Sequence, residues 1–142
     1  MNYWITSHWP PRKDRAREEE TAEWWYWVFL ADGYQELGRD LQLGDRVLIY
    51  ETENAPRLIE RGKLIGYKTG CKAIIALTTV TSKMLENKNA EIEKHEDGRE
   101  LCWRYHFKTG TVQPIYIPLQ RIRKVLGYKD RYGMRIRGGL RK

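Results

Sequence analysis

With 142 residues and a mass of 17.0 kDa, the chain has room for a single domain, 1–142, around one hydrophobic core. Its 41% hydrophobic and 32% charged residues suit a soluble globular protein, and no apolar run reaches the ~18 residues a membrane span needs. The net charge of +7 is unevenly spread: residues 1–100 carry 15 Lys/Arg against 18 Asp/Glu, whereas residues 101–142 carry 11 Lys/Arg against Asp130 alone.

A basic segment of that density is a candidate footprint for phosphates; the alternative is a solvated Arg/Lys surface, and the asymmetry of the charge favours nucleic acid. The opening MNYWITSHWPPRKDR has neither a charged n-region nor an apolar h-region, so no secretory signal is read and a cytoplasmic location is expected. Cys71 and Cys102 show no paired spacing, which suits a reducing compartment.

In chain order, Tyr3 to Thr6 reads as a short strand that breaks at Ser7 and His8 and is stopped by Pro10 and Pro11. RKDRAREEETA has no apolar stripe and reads as a solvated helix or loop. TAEWWYWVF then sets four large rings in a row, Trp24 to Trp27. Strand alternation divides them: Trp25, Trp27 and Phe29 share one face, Trp24, Tyr26 and Val28 the other. A short helix is expected around Tyr34 to Leu41, followed by a strand, RVLIYETE, entered through a Gly44-Asp45 turn.

RLIERGKLIGYKTG reads as a strand or hairpin arm, and the β-branched CKAIIALTTVTSKM as a further strand. LENKNAEIEKHEDGRE is polar enough for an exposed loop or frayed helix. LCWRYHFK alternates, with Leu101, Trp103, Tyr105 and Phe107 on one face, and QPIYIPL is a short strand bounded by prolines. PLQRIRKVLG is an amphipathic helix with Leu119, Ile122, Val125 and Leu126 inward, and GMRIRGG alternates again. Five or six short strands with two or three short helices make an α+β pattern that favours barrel-like closure.

No catalytic constellation emerges. Ser7 and His8 lack a nucleophile-elbow context. Cys102, His106 and His95 lack the paired spacings of a zinc site, and the glycines of RIRGGL do not form a phosphate loop. No metal and no cofactor are expected. What remains is a binding constellation of aromatic rings beside a basic surface. A ring stacked on a nucleobase contributes about 1–3 kcal/mol, and polar groups at a pocket rim then read the base edge.

The order of these pieces resembles the EVE domain of the PUA-like superfamily across nearly the whole chain. The resemblance rests on the opening YWITSHWP, the block LQLGDRVLIYET, the strands AIIALTTVTSKM and LCWRYHFK, and the closing IPLQRIRKVLGY and MRIRGGLRK. It implies a compact PUA-like mixed β-barrel flanked by short helices. It also implies a non-catalytic reader related to the YTH readers of methylated adenine. Such a reader takes a flipped, modified cytosine or adenine of DNA into an aromatic cage, and some work beside a nuclease in modification-dependent restriction. Carried onto this chain, the resemblance puts the base pocket at Ser7, His8, Trp9, Trp25 and Trp27. Beside it, Arg104, Arg135, Arg137 and Arg141 are read from the charge pattern as phosphate contacts. DNA is favoured over RNA as partner; an RNA-binding or RNA-processing domain is the alternative. Tyr50 and Trp103 read as core, and Trp24 and Tyr26 as structural.

Overall fold

The computed structural model describes residues 3–17, 26–30, 39–126 and 139–141. The expected helix around residues 34–41 falls for the most part outside them, as do Trp24, Trp25, Arg135 and Arg137. Among the described residues the chain is rich in sheet, with one helix of eight residues, α1 (Leu119–Leu126), and none long and apolar enough to cross a membrane. The expected balance of strands and helices therefore shifts towards strands.

The larger sheet is built from β1 (Tyr3–His8), β2 (Trp27–Leu30), β3 (Arg46–Glu51), β6 (Ala73–Val80), β7 (Leu85–Glu86), β10 (Tyr105–Pro118) and β11 (Gly139–Arg141). Its strands run in the order β11-β1-β3-β6-β10-β2, with β7 also on β10. β1 and β3 are parallel, so the chain between them must cross over; the other pairs are antiparallel. The smaller sheet, in the order β5-β4-β8-β9, joins β4 (Leu58–Glu60), β5 (Lys63–Ile65), β8 (Ile92–His95) and β9 (Glu100–Cys102).

Local chemistry explains most of these elements. β3 and β6 are runs of β-branched and large apolar residues. Gly44, at a φ of 87°, makes the turn into β3, and Arg61 and Gly62, at 53° and 76°, form the two-residue left-handed turn that closes the β4–β5 hairpin. β10 is longer than expected: the short strand expected at QPIYIPL is its continuation. Register shifts between Gly110 and Gln113 and between Pro114 and Ile117 bend it, curling the sheet into a half-barrel.

The curled sheet has two faces. Trp4, Val28, Leu41, Val47, Val80 and Phe107 cluster inside the curl. On the outer face Tyr50 and Ile74 pack with Leu119 and Ile122 of α1, the two inward positions of that helix whose side chains are described. Pro118 precedes the helix, and the Leu119 amide donates to the Lys72 carbonyl at 3.0 Å.

Three expectations need correction. Ser7 and His8 do not break β1 but complete it, because β3 supplies partners up to His8↔Glu51. The polar stretch after Met84 is neither loop nor helix throughout, since β7, β8 and β9 occupy parts of it. LCWRYHFK is not one strand: Trp103 and Arg104 bridge β9 of the small sheet to β10 of the large one. Alternation alone cannot show where a chain leaves one sheet for another.

Candidate nucleic-acid interface at one end of the half-barrel

The two ends of the larger sheet are chemically different. At one end β1 and β3 finish at His8 and Glu51, β6 begins at Ala73 and β10 finishes at Pro118. Trp4, Thr6 and His8 alternate with Tyr3, Ile5 and Ser7 and share a face with Val47, Ile49 and Glu51. Trp4, Val47 and Ile49 fill the core, and the third position of each strand turns polar as the barrel opens.

Glu51 is buried, with 2% exposure, and is fully engaged. Arg17 donates from Nη1 to Oε1 at 2.7 Å, and the Cys71 amide donates to Oε2 at 2.7 Å. Burial, and then the hydrogen bond to Glu51, push the Cys71 thiol up, against the pull of Arg17, so this exposed cysteine is held in its protonated form. His8, half-buried, stands directly opposite Glu51. Desolvation lowers its imidazole to about 4, although the Glu51 carboxylate pulls the other way. At neutral pH His8 is thus an uncharged ring, with one nitrogen a donor and the other an acceptor. Beside it Ser7 Oγ is shut away from solvent and has no hydrogen-bond partner among the described residues.

Trp9 leaves β1 towards the small sheet. Its ring meets His95 edge-on at 4.6 Å and Tyr67 at 5.8 Å, with the Arg99 guanidinium 5.9 Å away. The fully buried His95 shares Nδ1 with the Pro56 carbonyl at 3.1 Å, while Nε2 stands 3.5 Å from Glu93, too poorly aligned for a hydrogen bond. The following residues are stitched to the same sheet through Lys13 N to Gly66 O, Lys68 N to Pro11 O and the Arg12–Glu60 ion pair. Trp9 therefore joins the two sheets, whatever else its ring does. Gly70 closes the corner: a Cβ there would overlap the Thr52 carbonyl oxygen and come within 3.1 Å of Pro10.

Trp27 lies elsewhere. It pairs with Lys108, one step beyond Thr109↔Val80 and past the start of β1 and β3. From the Ser7–His8 end that is about six residues, or roughly 20 Å along the strands. Its ring packs at 5.1 Å from His106, with the Lys108 ammonium 5.7 Å from its centre. Ser7 and His8 thus end β1 on its opposite faces with Trp9 directly after them, Trp27 is not brought to them, and Trp25 lies outside the described residues. Tyr26 stands in a turn at 48% exposure, so the inward side chain of that run is Val28, not Tyr26. Tyr50 is buried as expected, and the half-buried Trp103 donates to Glu93 at 3.0 Å.

The candidate phosphate residues divide in the same way. Arg104 sits at the Trp27 end, just before β10. Arg141, in β11, is the register partner of Ile5, and Gly139 is the partner of Ser7. Sequence reasoning missed Arg17 and Glu51. The inward pattern of Val47, Ile49 and Glu51 could have flagged the glutamate, but nothing set Arg17 apart from its charged neighbours.

Comparison with family models finds no match, and comparison with curated proteins finds none either. Among solved structures, the NMR structure of Rpa0253 from Rhodopseudomonas palustris is similar at a TM-score of 0.47 and 11% identity, over 87% of this chain and 71% of that one. That likeness bears on neither the site nor the activity.

Proposed function

We propose that this chain binds nucleic acid and reads a modified base of DNA, a methylated or hydroxymethylated cytosine or a methyladenine, flipped towards the Ser7–His8–Trp9 end of the half-barrel. In this reading it does no chemistry itself and serves as the recognition part of a modification-dependent nuclease system. The EVE resemblance motivates the reading, and one observation carries it: β11 runs beside β1 with Gly139 opposite Ser7. Strand pairing thereby lays the end of the Arg-rich C-terminal segment against the segment that carries the uncharged His8.

The energetics are compatible. Extracting a base costs a few kcal/mol. One stacked ring at about 1–3 kcal/mol and charge-assisted contacts to the flanking phosphates offset that cost. Trp9, angled by His95 and Tyr67, is the described ring nearest in sequence to His8. A neutral imidazole reads a base edge without adding a charge that would favour any phosphate.

The test is fluorescence anisotropy with labelled duplexes that carry one 5-methylcytosine, 5-hydroxymethylcytosine or N6-methyladenine, their unmodified twins and an RNA of the same sequence. Wild type is compared with His8→Ala at two salt concentrations. Tighter binding of one modified duplex, with the preference lost in His8→Ala, is the expected result. Equal binding to every oligonucleotide, weakening steeply with salt and indifferent to His8, would reduce the function to phosphate binding. Preference for the RNA would move the partner class.

A further inference from the structure

At the opposite end of the half-barrel an open cleft of about 560 Å³ separates the turn before β3 from the segment after β6. That volume falls within the ~300–1,000 Å³ of small-molecule sites. Its floor is apolar, formed by Leu41, Met84 and Phe107, and Leu43 stands at its lip with 58% of its surface exposed. Arg39 and Lys83 line it as well, and none of the described lining residues is acidic. The turn is held firmly in place: Gln42 N donates to Asp45 Oδ2 at 3.0 Å, Asp45 N to Gln42 O at 3.0 Å and Gly44 N to Val80 O at 3.0 Å.

Arg12, Arg17, Arg57, Lys72 and Arg99 all form ion pairs. Arg39 and Lys83 have no ion-pair or side-chain hydrogen-bond partner among the described residues. Two cations without a partner among the described residues, over an apolar floor, suit a dianion with a flat or apolar body. A phosphate monoester carries about −1.5 to −2 charges at neutral pH, whereas a carboxylate would leave one cation unmatched.

We infer that this cleft is a second binding site, separate from Ser7 and His8, for a phosphomonoester of mononucleotide size. Its phosphate lies between Arg39 and Lys83, and its base rests on Leu41, Leu43 and Met84. The ligand is either a free nucleoside monophosphate or the 5′-phosphorylated end of a strand, since both present the same chemistry.

Isothermal titration calorimetry at low salt tests this with CMP, AMP, the corresponding nucleosides and inorganic phosphate. Wild type is compared with the Arg39→Gln/Lys83→Gln double variant, with Leu43→Ser and with His8→Ala. The expected result is saturable binding of CMP or AMP, at least tenfold weaker in the double variant, several-fold weaker in Leu43→Ser and unchanged in His8→Ala. The nucleosides bind at least tenfold more weakly than the monophosphates. Short strands with and without a 5′-phosphate then identify the source: a 5′-phosphorylated strand that outbinds both its unphosphorylated twin and CMP points to strand ends, and no gain over CMP points to the free nucleotide. Failure of wild type to bind either nucleotide at millimolar concentration overturns the inference. So does binding untouched by the double variant, or inorganic phosphate binding as tightly as CMP. Because His8 lies outside the cleft, failure here and failure of the base-reading proposal are distinguishable.

Discussion

Arg17 Nη1 lies 2.7 Å from Glu51 Oε1, and the glutamate side chain keeps only 3% of its surface exposed. The carboxylate's charge is tolerable there because a guanidinium and the Cys71 amide both bond to it. Arg17→Ala should therefore cost about 1–3 kcal/mol in urea unfolding, the usual penalty for leaving a buried polar group short of a partner. The double variant Arg17→Ala/Glu51→Gln should recover part of the loss, because the uncompensated charge is gone. No recovery would mean that Arg17 acts through packing alone.

His8 makes stability depend on pH in a defined direction. Its imidazole lies at about 4 in the folded chain against 6.5 when unfolded, chiefly through desolvation. Between those values the unfolded chain takes up a proton that the folded one refuses, so stability falls as pH drops through the window and the effect levels off below about 4. The contribution is at most about 3 kcal/mol, and less to the extent that solvent still reaches the ring. Thermal unfolding at pH 7, 5.5 and 4 should show a shallower decline for His8→Gln than for wild type. Identical slopes would remove His8 as the source.

How much of this was legible in the sequence varies with the kind of signal. The strands around Val47 and Ala76, the turn at Gly44, the inward Leu119 and Ile122 and the core position of Tyr50 follow from periodicity and turn chemistry, which are local. That β10 bends twice and continues to Pro118 depends on what pairs with it, and pairing is not written in a ten-residue window. The candidate site divides along the same line. Ser7, His8 and Trp9 are adjacent in the chain and so stay at one end of the sheet, although alternation turns Ser7 and His8 to opposite faces. Trp27 joined them only through the resemblance, and its pairing with Lys108 carries it to the other end of the sheet.

Asp45 does more than make its turn. Oδ2 accepts from Trp4 Nε1 at 2.9 Å and from the Gln42 amide at 3.0 Å, within a core where both Trp4 and Asp45 are buried. Asp45→Ala leaves both donors without this partner and should cost about 2–4 kcal/mol. Because the same turn supports the Arg39–Lys83 cleft, it should also weaken CMP binding. Asp45→Asn, whose amide oxygen can still accept, should fall between. Equal midpoints for alanine and asparagine would show that the turn geometry, not the bond to Trp4, carries the effect.

Trp27 gives a prediction in the opposite direction from the cage expected by resemblance. Its neighbours are His106 and Lys108, about 20 Å along the sheet from His8. Trp27→Ala should leave the ratio of affinities for modified and unmodified duplexes within twofold of wild type. His8→Ala should collapse that ratio. Loss of discrimination in Trp27→Ala, with circular dichroism unchanged, would place the base at the Trp27 end and would sink the present assignment.

Gly70 fixes the corner on which the Ser7–His8 end depends. Its amide donates to the Glu53 carbonyl at 2.8 Å, and an added Cβ would overlap the Thr52 carbonyl oxygen, 2.9 Å from that carbonyl's carbon and 3.1 Å from Pro10 Cβ. The obstacle is backbone, which cannot rotate aside as a flexible side chain would. Gly70→Ala must therefore push the 70–72 segment away from β3, straining the Cys71 amide bond to Glu51 and the Lys72 carbonyl that receives the first amide of α1. A loss of about 1–3 kcal/mol is expected, the usual cost of forcing extra volume into a packed site. Binding of modified duplexes should weaken with it, since Glu51 and His8 are register partners. CMP binding at the far cleft should be unaffected. An alanine variant as stable as wild type would mean that the corner yields, and that the close approach of Gly70 to Thr52 is not what holds this end of the sheet in shape.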